Sequence, residues 1–172
     1  MTQLNQLTSS DRRKFESVPQ LTKAERILYF QLDSNTRRIV NALRKDENKI
    51  GFVLQLGYFN YSGKFFKLDK FKQRDINFIA KSLAIDTSLL DMEEYVSSTQ
   101  YTHRERILSH LSWSVFDEKA RQRLSEYASR HTEKQRRPKQ VFITLVDYCW
   151  KHKIEIPTYT EISDIVTNSY ND

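Results

Sequence analysis

Ile50-Gly51-Phe52-Val53-Leu54-Gln55-Leu56-Gly57-Tyr58-Phe59 is apolar on nearly every side, and the way it folds decides the class of the chain. Such a run suits either a buried strand or a central helix enclosed by its neighbours. Residues 33–58 contain no proline and open with Asp33 and Ser34, residues that favour a helix start. The run is therefore read as a buried central helix.

Working outward, only three glycines and three prolines interrupt 172 residues, too few for the many tight turns of a sandwich or barrel. Three stretches have the capping-box form: Thr22-Lys23-Ala24-Glu25, Thr102-His103-Arg104-Glu105 and Thr158-Tyr159-Thr160-Glu161. Ile76, Ile79, Ala80 and Leu83 fall at i, i+3, i+4 and i+7, and Ala120, Leu124, Tyr127 and Ala128 likewise share one helical stripe. Val141, Leu145 and Cys149 line one further face. Together these predict helices near 9–17, 22–31, 34–44, 46–60, 73–84, 87–97, 102–111, 117–133, 138–152 and 158–169. The expected fold is all-α, with two helical subdomains containing helix-turn-helix-like units. The polar, basic stretch Gly63 to Lys72 marks the expected seam, dividing the chain into 1–70 and 71–172.

The chain has 28 Lys and Arg against 22 Asp and Glu, a net +6 and a sequence pI near 9.4. Such an excess favours an acidic polymer, because basic groups displace condensed counterions on binding. No lipidation signal or long apolar segment points to a membrane. The first residues carry neither a charged leader nor an apolar stretch, and Cys149 is the sole cysteine. A reducing, cytoplasmic setting is expected. Charge is uneven: residues 1–86 hold 16 basic and 9 acidic residues, a net +7, and residues 87–172 hold 12 and 13, a net −1.

Three basic groups stand out. Arg37, Arg38, Arg44, Lys45 and Lys49 surround a helix–helix junction, and Arg37 and Arg38 begin the second helix of a helix-turn-helix-like pair. Lys64, Lys67, Lys70, Lys72 and Arg74 crowd the expected seam. On the helix near 117–133, Lys119, Arg123, Arg130 and Lys134 share a sector of about 60° at about 100° per residue, beside an apolar sector. Glu126 and Glu133 border that ridge, so a solvated charged face is the alternative reading. The turn after it, Lys134-Gln135-Arg136-Arg137-Pro138-Lys139, is four-sixths basic and suits a phosphate backbone or a minor groove.

Catalytic patterns are missing. His103 and His110 share a helix face, but no thiolate or carboxylate completes a metal set, and His103 reads as a packing residue. Asp91, Glu93 and Glu94 read as capping or solvated acids. Phosphate-binding glycine loops and nucleophile elbows are absent. No catalytic residue, metal or cofactor is expected within this segment.

The order of these features resembles the N-terminal region of transposases of the Tn-three family, from about Leu7 to Val166. Leu21-Thr22, Glu25-Arg26 and Tyr29-Phe30-Gln31-Leu32 are similar to that family's opening helix. The run Ile50 to Gly57, followed by Gly63-Lys64-Phe65-Phe66, is close to a signature of the form LGxxLQLxxxxxxGxF. Ile79-Ala80 through Leu83-Ala84-Ile85 resembles a segment that usually reads ARQLGI. Thr99, His103, Ile107, Trp113 and Phe116 match a later stretch, and Arg137-Pro138 and His152 to Pro157 the closing pattern. Three positions depart: Lys72 replaces a proline, and Ala84 and Ser112 replace glycines.

The resemblance implies sequence-specific binding of double-stranded DNA at a transposon's terminal inverted repeats. It also implies that the Mg²⁺-holding carboxylates lie far downstream, so this segment would recognise DNA without cutting it. The basic residues above are the expected DNA contacts. Alternatives are a helical interaction module that pairs transposase protomers by self-association, or a stand-alone truncated regulator of transposition.

Overall fold

The computed structural model describes residues 6–134 and 136–171. Among these residues the protein is all-α, with nine α-helices, three short 3-10 turns and no strand. The helices are α1 (Ser9–Glu16), α2 (Lys23–Tyr29), α3 (Ser34–Ala42), α4 (Asp46–Ser62), α5 (Gln73–Ser82), α6 (Ser97–Leu111), α7 (Glu118–Thr132), α8 (Pro138–His152) and α9 (Tyr159–Asn171). They fall into two compact units. One spans Val18–His110, and the other joins the segment before Val18 to the chain from Leu111 onward. The division therefore falls at 17/18 and 110/111, not at the expected 70/71.

In the unit Val18–His110, every residue from Ile50 to Phe59 is buried in α4. Helices α2, α3 and α5 pack against it. Two of its glycines are packing requirements. A Cβ on Gly51 would lie 2.3 Å from the Tyr95 ring, and one on Gly57 would lie 2.4 Å from the Phe30 ring. Gly63 ends the helix in the left-handed conformation, φ 70°, with its N–H on the Phe59 carbonyl. The expected seam does not open here. Phe66 is buried and Phe65 stacks on Phe59, so residues 63–72 fold back against α4.

Two buried polar chains fix this unit. Arg26 Nε sits 3.0 Å from Asp75 Oδ1, and the Tyr58 hydroxyl donates to Asp75 Oδ2 at 2.5 Å, joining α2, α4 and α5. The second runs in one direction: Arg104 Nε donates to Gln55 Oε1, Gln55 Nε2 donates to Tyr95 Oη, and that hydroxyl faces His103 Nδ1 at 2.7 Å. With Oη accepting from Gln55, its proton goes to His103 Nδ1, which requires a neutral imidazole. Burial, and secondarily the charge of Arg106, depress the His103 pKa to about 4.

Two helix boundaries differ from expectation. Residues 87–97 are not one helix. The Asp86 and Asp91 carboxylates accept from Ser88 and Glu93 N–H groups two residues on, and this local bonding diverts the chain into 3-10 turns. Thr102 starts nothing: α6 begins at Ser97, and the Thr102 hydroxyl donates back to the Ser98 carbonyl.

In the other unit, α7, α8 and α9 pack on one another and α1 packs on α9. Leu124, Leu145, Ile162 and Val166 are fully buried in its core, with Phe15 of α1 against it. Gln6 donates from Nε2 to the Ser163 carbonyl and to Thr167 Oγ1 on α9. A single isolated bridge, Ser114 to Ile154, ties the connection before α7 to that after α8.

Candidate nucleic-acid interface

The sequence-selected cations occupy three different settings. On α3, Arg37 and Arg38 are exposed behind the Asp33 cap, whose carboxylate accepts from Thr36 N–H at 2.7 Å. Arg44 is exposed in the connection to α4, and Lys49 is half-buried within α4. Lys45 pairs with Glu94 at 3.4 Å, and Asp46 and Glu47 follow it in the first turn of α4. Acids thus interrupt this group. Helices α2 and α3, the pair expected to form a helix-turn-helix-like unit, each pack on α4.

Lys67, Lys70, Lys72 and Arg74 are exposed, with Lys64 half-buried. They do not form one ridge. Leu68–Lys70 is a 3-10 turn, whereas Lys72 is the N-cap residue of α5 and Arg74 lies in its first turn. Lys67 edges an open cleft of about 790 Å³ that also presents Asp69, Asp91, Glu93 and Arg104, a surface of mixed sign.

The third group is the most coherent. Helix α7 buries Ala120, Leu124 and Ala128, leaving Lys119, Arg123 and Arg130 on its outer side. Arg123 donates from Nε to the Tyr148 hydroxyl at 3.2 Å and lies over that ring, and Arg130 lies over the ring of Tyr127. These aromatic tiles restrain the guanidiniums without covering them. Near its C-terminus, α7 carries His131, whose pKa is lowered by burial and then by the charges of Arg136, Lys134 and Arg130. Three cations from α7 and the following turn therefore share one neighbourhood. Lys119, at the other end of α7, stands roughly 16 Å along the helix from Arg130.

The turn itself is held by its backbone: the Tyr170 hydroxyl of α9 donates to the Arg136 carbonyl. Gln135 lies outside the described residues. Arg136, Arg137 and Lys139 are exposed, and Pro138 opens α8, where its lack of an N–H costs nothing. Of Arg130, Lys134, Arg136, Arg137 and Lys139, only Lys139 is in an ion pair among the described residues, with Asp11 at 3.3 Å. A hydrogen bond with Thr8, and next the Lys139 ammonium, hold the Asp11 carboxyl below the usual range.

That contact reveals cations the sequence reading missed. Helix α1 carries Arg12, Arg13 and Lys14 into this unit. Arg12 is engaged by Glu16 and lies 4.2 Å over the Tyr159 ring, whereas Arg13 and Lys14 are exposed. No local pattern placed α1 beside α8, because Phe15 on Phe142 and Asp11 on Lys139 span well over a hundred residues of sequence.

Among the described residues, no group of three His, Cys, Asp or Glu side chains is arranged to hold a metal ion. No helix is long and apolar enough to cross a membrane. Asp91 caps its own 3-10 turn and Glu94 holds Lys45.

Comparison with known proteins agrees with the sequence resemblance at a coarse level. Over 163 residues, 93% of the chain, the sequence is 25% identical to the transposase for transposon Tn1546 from Enterococcus faecium. The chain spans 16% of that relative's length. Residues 7–168, nearly the whole chain and both units, match one family, so the chain belongs to the family described as Domain of unknown function (DUF4158).

Proposed function

We propose that the chain binds duplex DNA at the terminal inverted repeats of a transposon, as the recognition region of a larger transposase of the Tn-three family. The observation that carries this reading is the cation cluster at the junction of α7 and α8. Arg130, Lys134, Arg136 and Arg137 are exposed together, outside any ion pair among the described residues. Like charges held close raise the energy of the free protein, and phosphates relieve it. Similarity to a transposase supplies the polymer. On this reading the segment positions DNA in the cytoplasm and performs no chemical step, and it needs no cofactor.

Binding is expected to weaken steeply with salt, each phosphate contact adding about 0.9 to the magnitude of the log–log slope. Replacing Arg136 and Arg137 together by alanine should flatten that slope by about one to two. An unchanged slope would remove the turn from the interface. Equal affinity for terminal-repeat and random duplexes would overturn the sequence-specific part.

A second reading concerns the unit Val18–His110. Ile27 and Leu28 of α2 are 54% and 58% exposed, and Ile27 edges a recess of about 260 Å³ lined by Phe30, Phe78 and Leu83. This apolar surface supports pairing of transposase protomers, which would appear as self-association insensitive to salt.

A further inference from the structure

We infer that α8 is the helix that reads bases, with Gln140 and Ile143 as its specificity-determining residues; the inference rests on the duplex-DNA reading above. Exposure separates the helices of this unit. Helix α9 buries Tyr159, Ile162, Ser163, Ile165 and Val166, and its exposed stripe, Thr160, Asp164 and Asn168, carries an acid and no cation to meet phosphates. Helix α7 turns outward a face on which Lys119 and Arg123 alternate with Glu118 and Glu126, suited to a phosphate rail at one end only. Helix α8 differs from both. Val141, Phe142, Leu145 and Cys149 lock one side into the core. Lys139, Gln140, Ile143 and Asp147 are exposed within a sector of about 100° on the other.

Charge orients that face. The cations Lys134, Arg136, Arg137 and Lys139 precede or open α8, where they would straddle phosphates, and the middle of the face is neutral. Asp147 follows two turns on, where closer approach to phosphate is disfavoured. The first two helical turns cover about 10 Å, within a major groove about 12 Å wide. Ile143, 46% exposed with uncharged Gln140 beside it, has the character that contacts a thymine methyl.

The polarity of Gln140 is set by the fold. Its Oε1 accepts the N–H of Arg137 at 3.2 Å, closing the entrance to α8. A guanidinium has no acceptor with which to reciprocate, so this is the only half of a capping box available. With Oε1 turned back to the Arg137 N–H, the Nε2 hydrogens are the part of the Gln140 amide that the cap leaves unused. It would therefore seek an acceptor edge, such as a purine N7, guanine O6 or thymine O4.

The test is selection of binding sites by the full 172-residue chain from duplexes with a randomised core, comparing wild type with Gln140→Glu and Ile143→Ala. Gln140→Glu keeps the acceptor for Arg137 but reverses what the groove meets. Preference at one position should move from an acceptor edge to cytosine, whose N4 donates. Ile143→Ala, which changes no charge, should relax a thymine preference at a neighbouring position by about fivefold or more, leaving the salt slope unchanged. If Gln140→Glu simply repels DNA, Ile143→Ala decides. Unaltered base preferences with intact binding would overturn the role of α8 while sparing the DNA-binding reading. A wild-type chain that selects no sequence would overturn both.

Discussion

Ala84 and Ser112 occupy the left-handed region, at φ 56° and 59°, where a side chain costs about 1–2 kcal/mol relative to glycine. Ala84 is the residue after the C-cap of α5: its N–H bonds the Lys81 carbonyl, and the N–H of Ile85 bonds that of Ala80. This is the Schellman arrangement, which normally uses glycine. Both positions are those where the resembled family has glycine. Ala84→Gly and Ser112→Gly should each stabilise the protein by about 0.5–1 kcal/mol, part of the relief being offset by the greater freedom of glycine when unfolded. Denaturant titration at constant m-value checks this, and a loss of stability would show that the strain is absorbed elsewhere. His103 makes a prediction in pH. Its folded pKa of about 4 lies below the ordinary 6.5, so the unfolded chain takes up the proton first. Stability is complete above about pH 6.5 and falls as pH drops towards 4, by at most about 3 kcal/mol from this group. His103→Gln should flatten that part of the profile, whatever its cost at neutral pH.

Helix by helix, the pattern of apolar residues was legible wherever burial follows a single periodicity. The run Ile50–Phe59 forms the buried centre of α4, and the stripes on α5, α7 and α8 face their cores. Capping signatures were less decisive, because one tetrapeptide pattern serves two structures. Thr22 accepts the Glu25 N–H at 3.1 Å while Glu25 accepts the Thr22 N–H at 3.0 Å. Thr102 has the same spacing to Glu105 but sits inside α6. What separates them is the preceding chain. Tyr95 is fully buried against His103 and Gln55, and that anchor draws the start of α6 back to Ser97. Thr22→Ala should therefore cost about 1 kcal/mol, whereas Thr102→Ala should stay within about 0.5. Equal losses in thermal or denaturant unfolding would contradict the placement of the α6 start. The basic clusters show the same limit: a run of charge is visible in sequence, but the acids that face it are tertiary. Glu94 beside Lys45 and Asp11 beside Lys139 could not be read from spacing.

Across the molecule, the division into units changes the meaning of the charge. Split at 86/87, the chain looks like a basic half and a near-neutral half. By structural unit, Val18–His110 holds 15 basic and 11 acidic residues, a net +4, and the remainder holds 13 and 11, a net +2. Most of the difference arises because the acidic stretch 87–110, net −2, belongs with the first unit; the rest comes from residues 1–17, net +1, which join α7–α9 and bring Arg12, Arg13 and Lys14 with them. A discontinuous unit also has a mechanical consequence. Gln6 reaches Ser163 and Thr167, Phe15 packs edge-on against Phe142, and Arg12 covers Tyr159. Deleting residues 1–17 would expose part of that core and leave the Ser163 carbonyl without the Gln6 donor. Removal of the Phe15 contact alone should cost about 2–4 kcal/mol, a large part of the stability of so small a unit. Amide exchange should then rise throughout α7, α8 and α9, while α4 and α5 retain their protection. Cations at the α7–α8 junction would lose their fixed spacing, so under the duplex-DNA proposal the salt dependence of binding should fall together with protection. Uniform protection in the shortened chain would mean that α1 is an appendage, and that the core formed by α7–α9 is sufficient by itself.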